Sequence, residues 1–303
     1  MSIPFAHPSG QRLLGIVSDA FRTKKVFQRK DRHIVFVCGG PVRVRSRSMR
    51  YRFLKYSQKS LSQYRFFLAE AATKDLIEHN EPQFINLVDF ESLVAQISDC
   101  IILFLESPGS IGELGYFVNT KETVKKLLVI NDVKKQKDSF INNGLLDKVN
   151  EKSAFKAIIW LDPGRPDFLP VKRRLETRLP AKQGKRFKFE KFSKLRPQQQ
   201  LYVVFQILHI FGALRFESLV YCLKHIFEGF VKESRVRHLV SVLVSIEYLE
   251  RAGDDLQYFI AARKAEPFLE FRNYDVRDLR ARTINFFKMH HFETYQLLAE
   301  TAS

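Results

Sequence analysis

Leu103-Phe-Leu-Glu-Ser-Pro-Gly-Ser-Ile-Gly-Glu-Leu-Gly-Tyr116 carries two glutamates, Glu106 and Glu113, across a Gly/Ser-rich turn that directly follows an apolar run. The run, Cys100-Ile-Ile-Leu-Phe-Leu105, has the length and composition of a strand buried on both faces of a parallel sheet. Acids just beyond its carboxyl end would face the crevice where open α/β sheets bind their ligands. Outward from this point, His33-Ile-Val-Phe-Val-Cys38 reads as a first buried strand ending in Gly39-Gly40, a turn that lets backbone approach a ligand closely. Lys126-Leu-Leu-Val-Ile130 and Ala157-Ile-Ile-Trp160 read as further strands, and Phe84-Ile-Asn-Leu-Val88 as a short one. Helical spacing runs over residues 51–73 and 90–97 and from Glu113 to Val118. Strands and helices in alternation predict an α/β fold, a three-layer domain with a mostly parallel sheet over residues 31–165.

Residues 1–30 read as a basic N-terminal extension in which Arg12–Phe21 forms an amphipathic helix docked on that domain. Pro, Gly and basic residues mark 166–196 as a linker. Over residues 197–263, apolar spacings of three and four predict helices at Gln198–Leu214, Phe216–Phe227 and Ser234–Arg251. Gly253-Asp-Asp255 then separates two short pieces, the second being Leu256-Gln-Tyr-Phe-Ile260. Three helices followed by a hairpin predict an α-rich winged helix-turn-helix domain. Residues 264–303 read as a helical tail with helices at Val276–Phe287 and Glu293–Glu300.

At 303 residues and 45% hydrophobic content the chain can bury substantial cores. No apolar stretch of about 18 residues is free of charge, and the first residues lack a secretory pattern, so a soluble, cytoplasmic protein without a membrane partner is expected. Cys38, Cys100 and Cys222 form no CxxC pair and are expected as buried free thiols. His290 and His291 would diverge by about 100° on a helix, with no third ligand nearby, so no metal and no cofactor is expected. The net charge of +17 points to a polyanionic partner. Its dense positions are Arg43, Arg45, Arg47 and Arg50, then Lys172, Arg173, Arg174, Lys185, Arg186 and Lys188. Phe187, Phe189 and Phe192, interleaved with the second block, favour a nucleic-acid surface over a merely solvated one. Arg235 and Arg237, near the start of the third helix, suit phosphates or bases, although a winged helix can equally bind only protein.

Two uses of Glu113 are open at this level. Ser110-Ile-Gly-Glu113 fits the S-x-x-E capping box, which would stabilise a helix start. Alternatively, cleavage of an N-glycosidic bond passes through an oxocarbenium-like sugar, which a carboxylate beneath the anomeric carbon stabilises. Glu106-Ser-Pro-Gly-Ser-Ile-Gly-Glu-Leu-Gly-Tyr116 is similar to the D/E-S-x-G-x-x-x-E-L-G-Y motif of nucleoside 2-deoxyribosyltransferases. With Val35-Phe-Val-Cys-Gly-Gly40 and Asp138-Ser-Phe-Ile-Asn-Asn-Gly144 in the same order, the chain resembles the effector toxins of type II retrons. Those effectors join a deoxyribosyltransferase-like domain to a C-terminal winged helix.

This resemblance implies an anti-phage, toxin–antitoxin-type effector that cleaves a nucleotide N-glycosidic bond, with NAD the leading substrate. It implies growth arrest or abortive infection on release, and inhibition by a retron reverse transcriptase with its multicopy single-stranded DNA and RNA, in a possible homo-oligomer or higher assembly. Glu113 would be the nucleophile and Glu106 the ribose ligand. Gly39, Gly40, Ser107, Gly109 and Ser110 would line the pocket, with Asn142 or Asn143 approaching from a later loop. Where the transferases usually have Asp, the first acid here is Glu106, and hydrolysis is then favoured over transfer to a free base. The competing expectations are a nucleotide-sensing winged-helix DNA-binding regulator without turnover, and a structural component with a decayed pocket.

Overall fold

Cys100–Phe104 is a fully buried strand at the centre of a five-stranded parallel sheet. The computed structural model describes residues 3–29, 31, 33–40, 48–79, 86–155, 158–179, 184–272 and 274–302. In chain order, α1 (Pro8–Thr23) and β1 (Lys25–Gln28) come first. Then follow β2 (His33–Cys38), α2 (Met49–Ser60), β3 (Tyr64–Phe67), α3 (Ala69–Glu78), α4 (Leu87–Ile97), β4 (Cys100–Phe104) and α5 (Pro108–Asn119). α6 (Lys121–Val124), β5 (Leu127–Asp132), α7 (Asp147–Lys152), β6 (Ile158–Leu161) and α8 (Leu169–Arg178) succeed them. The remainder is α9 (Pro197–Phe211), β7 (Ala213–Arg215), α10 (Phe216–Phe227), α11 (Glu233–Ser245), β8 (Leu249–Ala252), β9 (Tyr258–Ala261), β10 (Leu269–Arg272), α12 (Val276–His290) and α13 (Phe292–Ala302). These residues fall into two compact units: Asp31–Ala71 with Asn86–Lys182, and Met1–Lys30 with Ala72–Ile85 and Gln183–Ser303.

In the first of these units the strand order is β3-β2-β4-β5-β6, all parallel. β2 has β3 on one side and β4 on the other, so the winding reverses between β2 and β4. That reversal opens a crevice at the carboxyl ends of these two strands. Alternation along the strands sets the layers. Val35, Val37, Ile102, Phe104, Leu128 and Ile130 share a core with Met49 and Phe53 of α2 and Val171 and Leu175 of α8. On the opposite face Phe36 meets Phe117 of α5, and Phe67 meets Phe90 of α4. Helices therefore cover both faces, the three-layer α/β arrangement expected.

Several local expectations need correction. Residues 51–73 are not one helix, because the short aromatic strand β3 interrupts them and pairs with β2. Of the short strand expected at Phe84–Val88, residues 84 and 85 lie outside the described residues. Leu87 and Val88 open α4, whose start is capped by the Asn86 side chain accepting from Val88 and Asp89 amides. Inside the stretch read as a linker, Leu169–Arg178 is helical, with Val171 and Leu175 fully buried.

In the second unit α9 is largely apolar and is buried from Gln200 to Leu208 on every side, as befits the central helix of a core. The order α9-β7-α10-α11-β8-β9 yields a three-stranded antiparallel sheet, β7-β9-β8. The helix expected over Ser234–Arg251 ends at Ser245, since Leu249–Ala252 is the first strand of the hairpin. α1, expected on the α/β domain, belongs to this unit: it packs on α10 and α12, with Phe21 set against Phe227 and Phe271. β1 pairs antiparallel with β10, and residues 184–187 run beside it through Gln28 N donating to Lys185 O (2.8 Å) and Phe187 N to Val26 O (2.8 Å). No helix among the described residues is long and apolar enough to cross a membrane.

Within this unit Asp75 accepts both Arg251 Nε (2.9 Å) and Arg251 Nη2 (3.0 Å), and both side chains are nearly buried, at 9% and 11% exposure. Removing one member of such a pair strands the other charge. Asp75→Ala is expected to cost about 3 kcal/mol in urea unfolding, and Asp75→Ala/Arg251→Met to recover most of it. A single-variant cost below about 1 kcal/mol would show that water already satisfies the guanidinium.

Candidate active site

The site grows from the ends of β2 and β4. Leu105 N still bonds Ile130 O across the sheet (2.9 Å), so Glu106 is the first residue free of it. Its carboxylate turns to the start of α2, where Oε1 accepts from Met49 N (2.5 Å) and Oε2 from Arg50 N (3.1 Å). Amides in a first helical turn lack intrahelical acceptors, and negative charge is favourable there. Gly39 has φ +130°, and a side chain on it would collide with the Phe104 carbonyl. A Cβ on Gly40 would lie 3.0 Å from Glu106 Oε2. The glycine pair is what lets the turn after β2 close against Glu106.

Arg50 holds that turn. Its guanidinium is buried, and Nη2 donates to Val37 O (2.8 Å) and Glu70 Oε2 (2.9 Å). Nη1 donates to Gly40 O (3.1 Å) and Glu70 Oε1 (2.7 Å). Burial alone would raise the Glu70 carboxyl, but the two bonds from Arg50 outweigh it and hold the pKa below the usual range. Glu91 of α4 is raised, by burial first and then by the Glu70 charge.

Glu113 lies one turn into α5. Its pKa is pushed up to about 7, chiefly by burial, with the Glu91 and Glu70 carboxylates adding to the rise and Arg50 and the Cys38 thiol opposing it. Glu113 Oε2 is buried and has no hydrogen-bond partner among the described residues. An orphaned carboxylate oxygen at the mouth of a sheet is costly as structure and useful as chemistry. The Cys38 thiol is itself pushed well up by burial and by Glu113, so it stays protonated. All three cysteines are buried and free.

The capping expectation for Glu113 is overturned. α5 begins at Pro108, its N-cap is Ser107, and the reciprocal box joins Ser107 to Ser110. Ser107 Oγ accepts Ser110 N (3.2 Å), while Ser110 Oγ accepts Ser107 N (3.0 Å) and donates to Ser107 O (2.7 Å). Ser110 is therefore spent on the helix start and almost fully buried, not a pocket-lining hydroxyl. Gly109 is exposed. Asn142 is committed within its own loop, donating to Lys135 O (2.8 Å) and Lys137 O (2.5 Å), and Asn143 N donates to Ser139 O (2.9 Å).

Among the basic residues, Arg43, Arg45 and Arg47 lie outside the described residues. Arg50, expected on a partner-binding surface, belongs instead to the buried frame of the site, because five backbone and carboxylate acceptors surround it. On α8, Arg173 is exposed and Lys172 faces Glu176 at 3.9 Å. Lys185, Arg186 and Lys188 are exposed, but the aromatics between them turn inward: Phe187 and Phe192 are buried, and Phe189 stacks on Phe227. Arg237 lies 3.8 Å over the Phe216 ring, so its guanidinium face is packed, while Arg235 is half-buried. Glu70, Glu91 and the site role of Arg50 were not legible beforehand. Arg50 follows a helix-capping Ser48 by two residues, a weak cue lost among its basic neighbours.

Residues 46–251 match the family model described as the STM3845 retron effector protein. The chain is also 36% identical over 162 residues, 52% of its length and 50% of the relative's, to a retron Ec86 protein of Escherichia coli provisionally named a ribosyltransferase/DNA-binding protein. To a retron Ec73 protein of the same organism and the same provisional name it is 36% identical over 121 residues, 39% of this chain and 38% of that one. The chain thus spans half or less of the length of these curated relatives.

The raised pKa of Glu113 has a signed consequence for stability. The folded state holds a proton on this group that the unfolded chain releases near pH 4.5, so ionising it in place weakens the fold as pH rises from about 4.5 to about 7. Glu113→Gln, which mimics the protonated form, is expected to match the parent near pH 4 and to melt at progressively higher relative temperature up to pH 7.5. A constant difference across that range would contradict the raised value.

Proposed function

The chain belongs to the STM3845 retron effector family, and from that premise we propose that its α/β unit cleaves the N-glycosidic bond of a nucleotide, NAD above all. The observation that carries the reading is Glu113: a carboxylate with a buried oxygen unpartnered among the described residues and a pKa of about 7, at the crevice between β2 and β4. In its ionised form it attacks the anomeric carbon as the carbon–nitrogen bond breaks, and the bond pair leaves with the nitrogen. Water then cleaves the glycosyl ester and restores the carboxylate, one water proton being released. A pyridinium departs as neutral nicotinamide and needs no acid, which favours NAD over a purine nucleoside. Glu106, held by two α2 amides, serves as a fixed acceptor for a ribose hydroxyl, as the retron resemblance implies.

The second unit's helix–strand–helix–helix–hairpin order supports a winged helix-turn-helix assignment. Its basic surface would dock the effector on the retron reverse transcriptase and its multicopy single-stranded DNA with RNA, holding the toxin inactive until release arrests growth. A regulator that binds DNA and senses a nucleotide without turnover is the reading this proposal displaces.

Nucleotide profiling of cells expressing the parent chain is expected to show one nucleotide depleted, with Glu113→Gln abolishing both depletion and growth arrest while leaving the purified protein folded. Equal depletion by parent and variant would sink the assignment of Glu113. Because the nucleophile must be ionised, turnover by the parent is expected to climb with pH through about 7 and then level off. A flat profile between pH 5.5 and 8.5 would remove this carboxylate from the rate-governing step.

A further inference from the structure

Phe140 is the most exposed large hydrophobic side chain among the described residues, at 80%, and it stands on the loop after β5, the strand next to β4. This loop is built, not slack. Asp132 Oδ1 accepts Lys134 N at its start, Asn142 clamps the carbonyls of Lys135 and Lys137, and residues Ile141–Leu146 form a π-helix that packs on α5, which bears Glu113. π-helical turns are rare and frequent at functional sites. Lys135 Nζ lies 3.5 Å from Leu105 O, the carbonyl directly before Glu106, so the loop reaches the candidate site itself. The Phe140 ring rests near Gly144, where no side chain competes for it, and its remaining surface faces solvent. Lys134, Lys135 and Lys137 are exposed beside it; of the two nearby acids, Asp132 is turned back on the loop and Asp138 alone is outward.

We propose that this loop is the recognition arm of the glycosidic site: Phe140 stacks on a base of the substrate, and Lys135 and Lys137 bind its phosphates, so the site takes a nucleotide and not a free nucleoside. Every base offers a π-face to an aromatic ring, and lysine pairs with phosphate as a point charge. The clamp by Asn142 fixes the backbone that carries both groups before substrate arrives, which limits the ordering cost of binding. An ordinary exposed phenylalanine would not come with a hydrogen-bonded scaffold, three exposed lysines on the same loop and a foot beside Glu106. The inference rests on the glycosidic reading for its substrate but not for its binding event.

Equilibrium binding of NAD and of nicotinamide riboside to the 303-residue chain carrying Glu113→Gln, which removes turnover, tests it. Phe140→Ala in that background is expected to weaken both ligands about tenfold, whereas Lys135→Gln/Lys137→Gln weakens NAD about tenfold and nicotinamide riboside less than twofold. The residues are exposed, and unchanged melting of each variant confirms that folding is not the cause. NAD binding that none of these substitutions alters would overturn the proposal, including the outcome in which Phe140→Ala impairs only capture of a protein partner. If the parent chain turns NAD over and Phe140→Ala leaves KM unchanged, the loop assignment falls and the catalytic reading stands. Phe140-dependent binding without any turnover by the parent leaves the loop assignment standing and removes the glycosidic one.

Discussion

A single buried cation organises the α/β unit. Arg50 carries its guanidinium into the space between the end of β2 and the start of α3, where it ties the carbonyls of Val37 and Gly40 to the Glu70 carboxylate. Its own backbone amide, with that of Met49, receives Glu106 from the end of β4. Removing an ion from water costs several kcal/mol, and only dense hydrogen bonding offsets it. The compensation here is almost complete for the two terminal nitrogens, and the result is that three separate chain segments are fixed in one place. The Gly39-Gly40 turn exists to make that approach possible, because a side chain at either position would press on Phe104 or Glu106.

The same cation explains how the carboxylates divide. Glu70 touches Arg50 and is held ionised, whereas Glu91 and Glu113 feel its attraction only at a distance and also feel the Glu70 charge. Burial then decides, raising both. One positive charge cannot satisfy three neighbouring carboxylates, and the unsatisfied part falls on the group with a bare buried oxygen, Glu113. A carboxylate with a pKa near 7 is a more basic nucleophile than an ordinary one, and it is still substantially ionised at neutral pH. The environment that makes Glu113 uncomfortable therefore also fits it for covalent chemistry.

Much of this was legible in the sequence because buried parallel strands are continuously apolar. His33–Cys38 and Cys100–Phe104 stand out as such runs, and the placement of Glu106 and Glu113 just past the second follows at once. Tyr64–Phe67 escaped because four residues flanked by helices are too few to show a period of two against one of 3.6. Arg50 escaped for a different reason: a basic residue in a basic block reads as solvated surface, and only the fold brings Glu70 and the strand-end carbonyls to it. The S-x-x-E pattern misled because Ser107 lay one turn earlier with Pro108 behind it, a stronger helix start than Ser110.

The inward turn of the aromatics alters what the basic surface can do. Phe187 and Phe192 are buried, Phe189 is stacked on Phe227, and Arg22 lies over Phe189 at 4.6 Å, so these rings hold residues 184–192 onto their unit and are not offered to bases. What remains outward are chiefly cations, Lys185, Arg186, Lys188 and Lys191, with Glu190 among them. A polyanion held there would be gripped through phosphates, which fix position and respond steeply to salt but carry no sequence information. Such a surface suits docking on a nucleic acid whose identity is already guaranteed by another component of the assembly. It does not suit a search for a sequence, so of the two readings the outward charge fits the proposed docking on a nucleoprotein better than the regulator of genes.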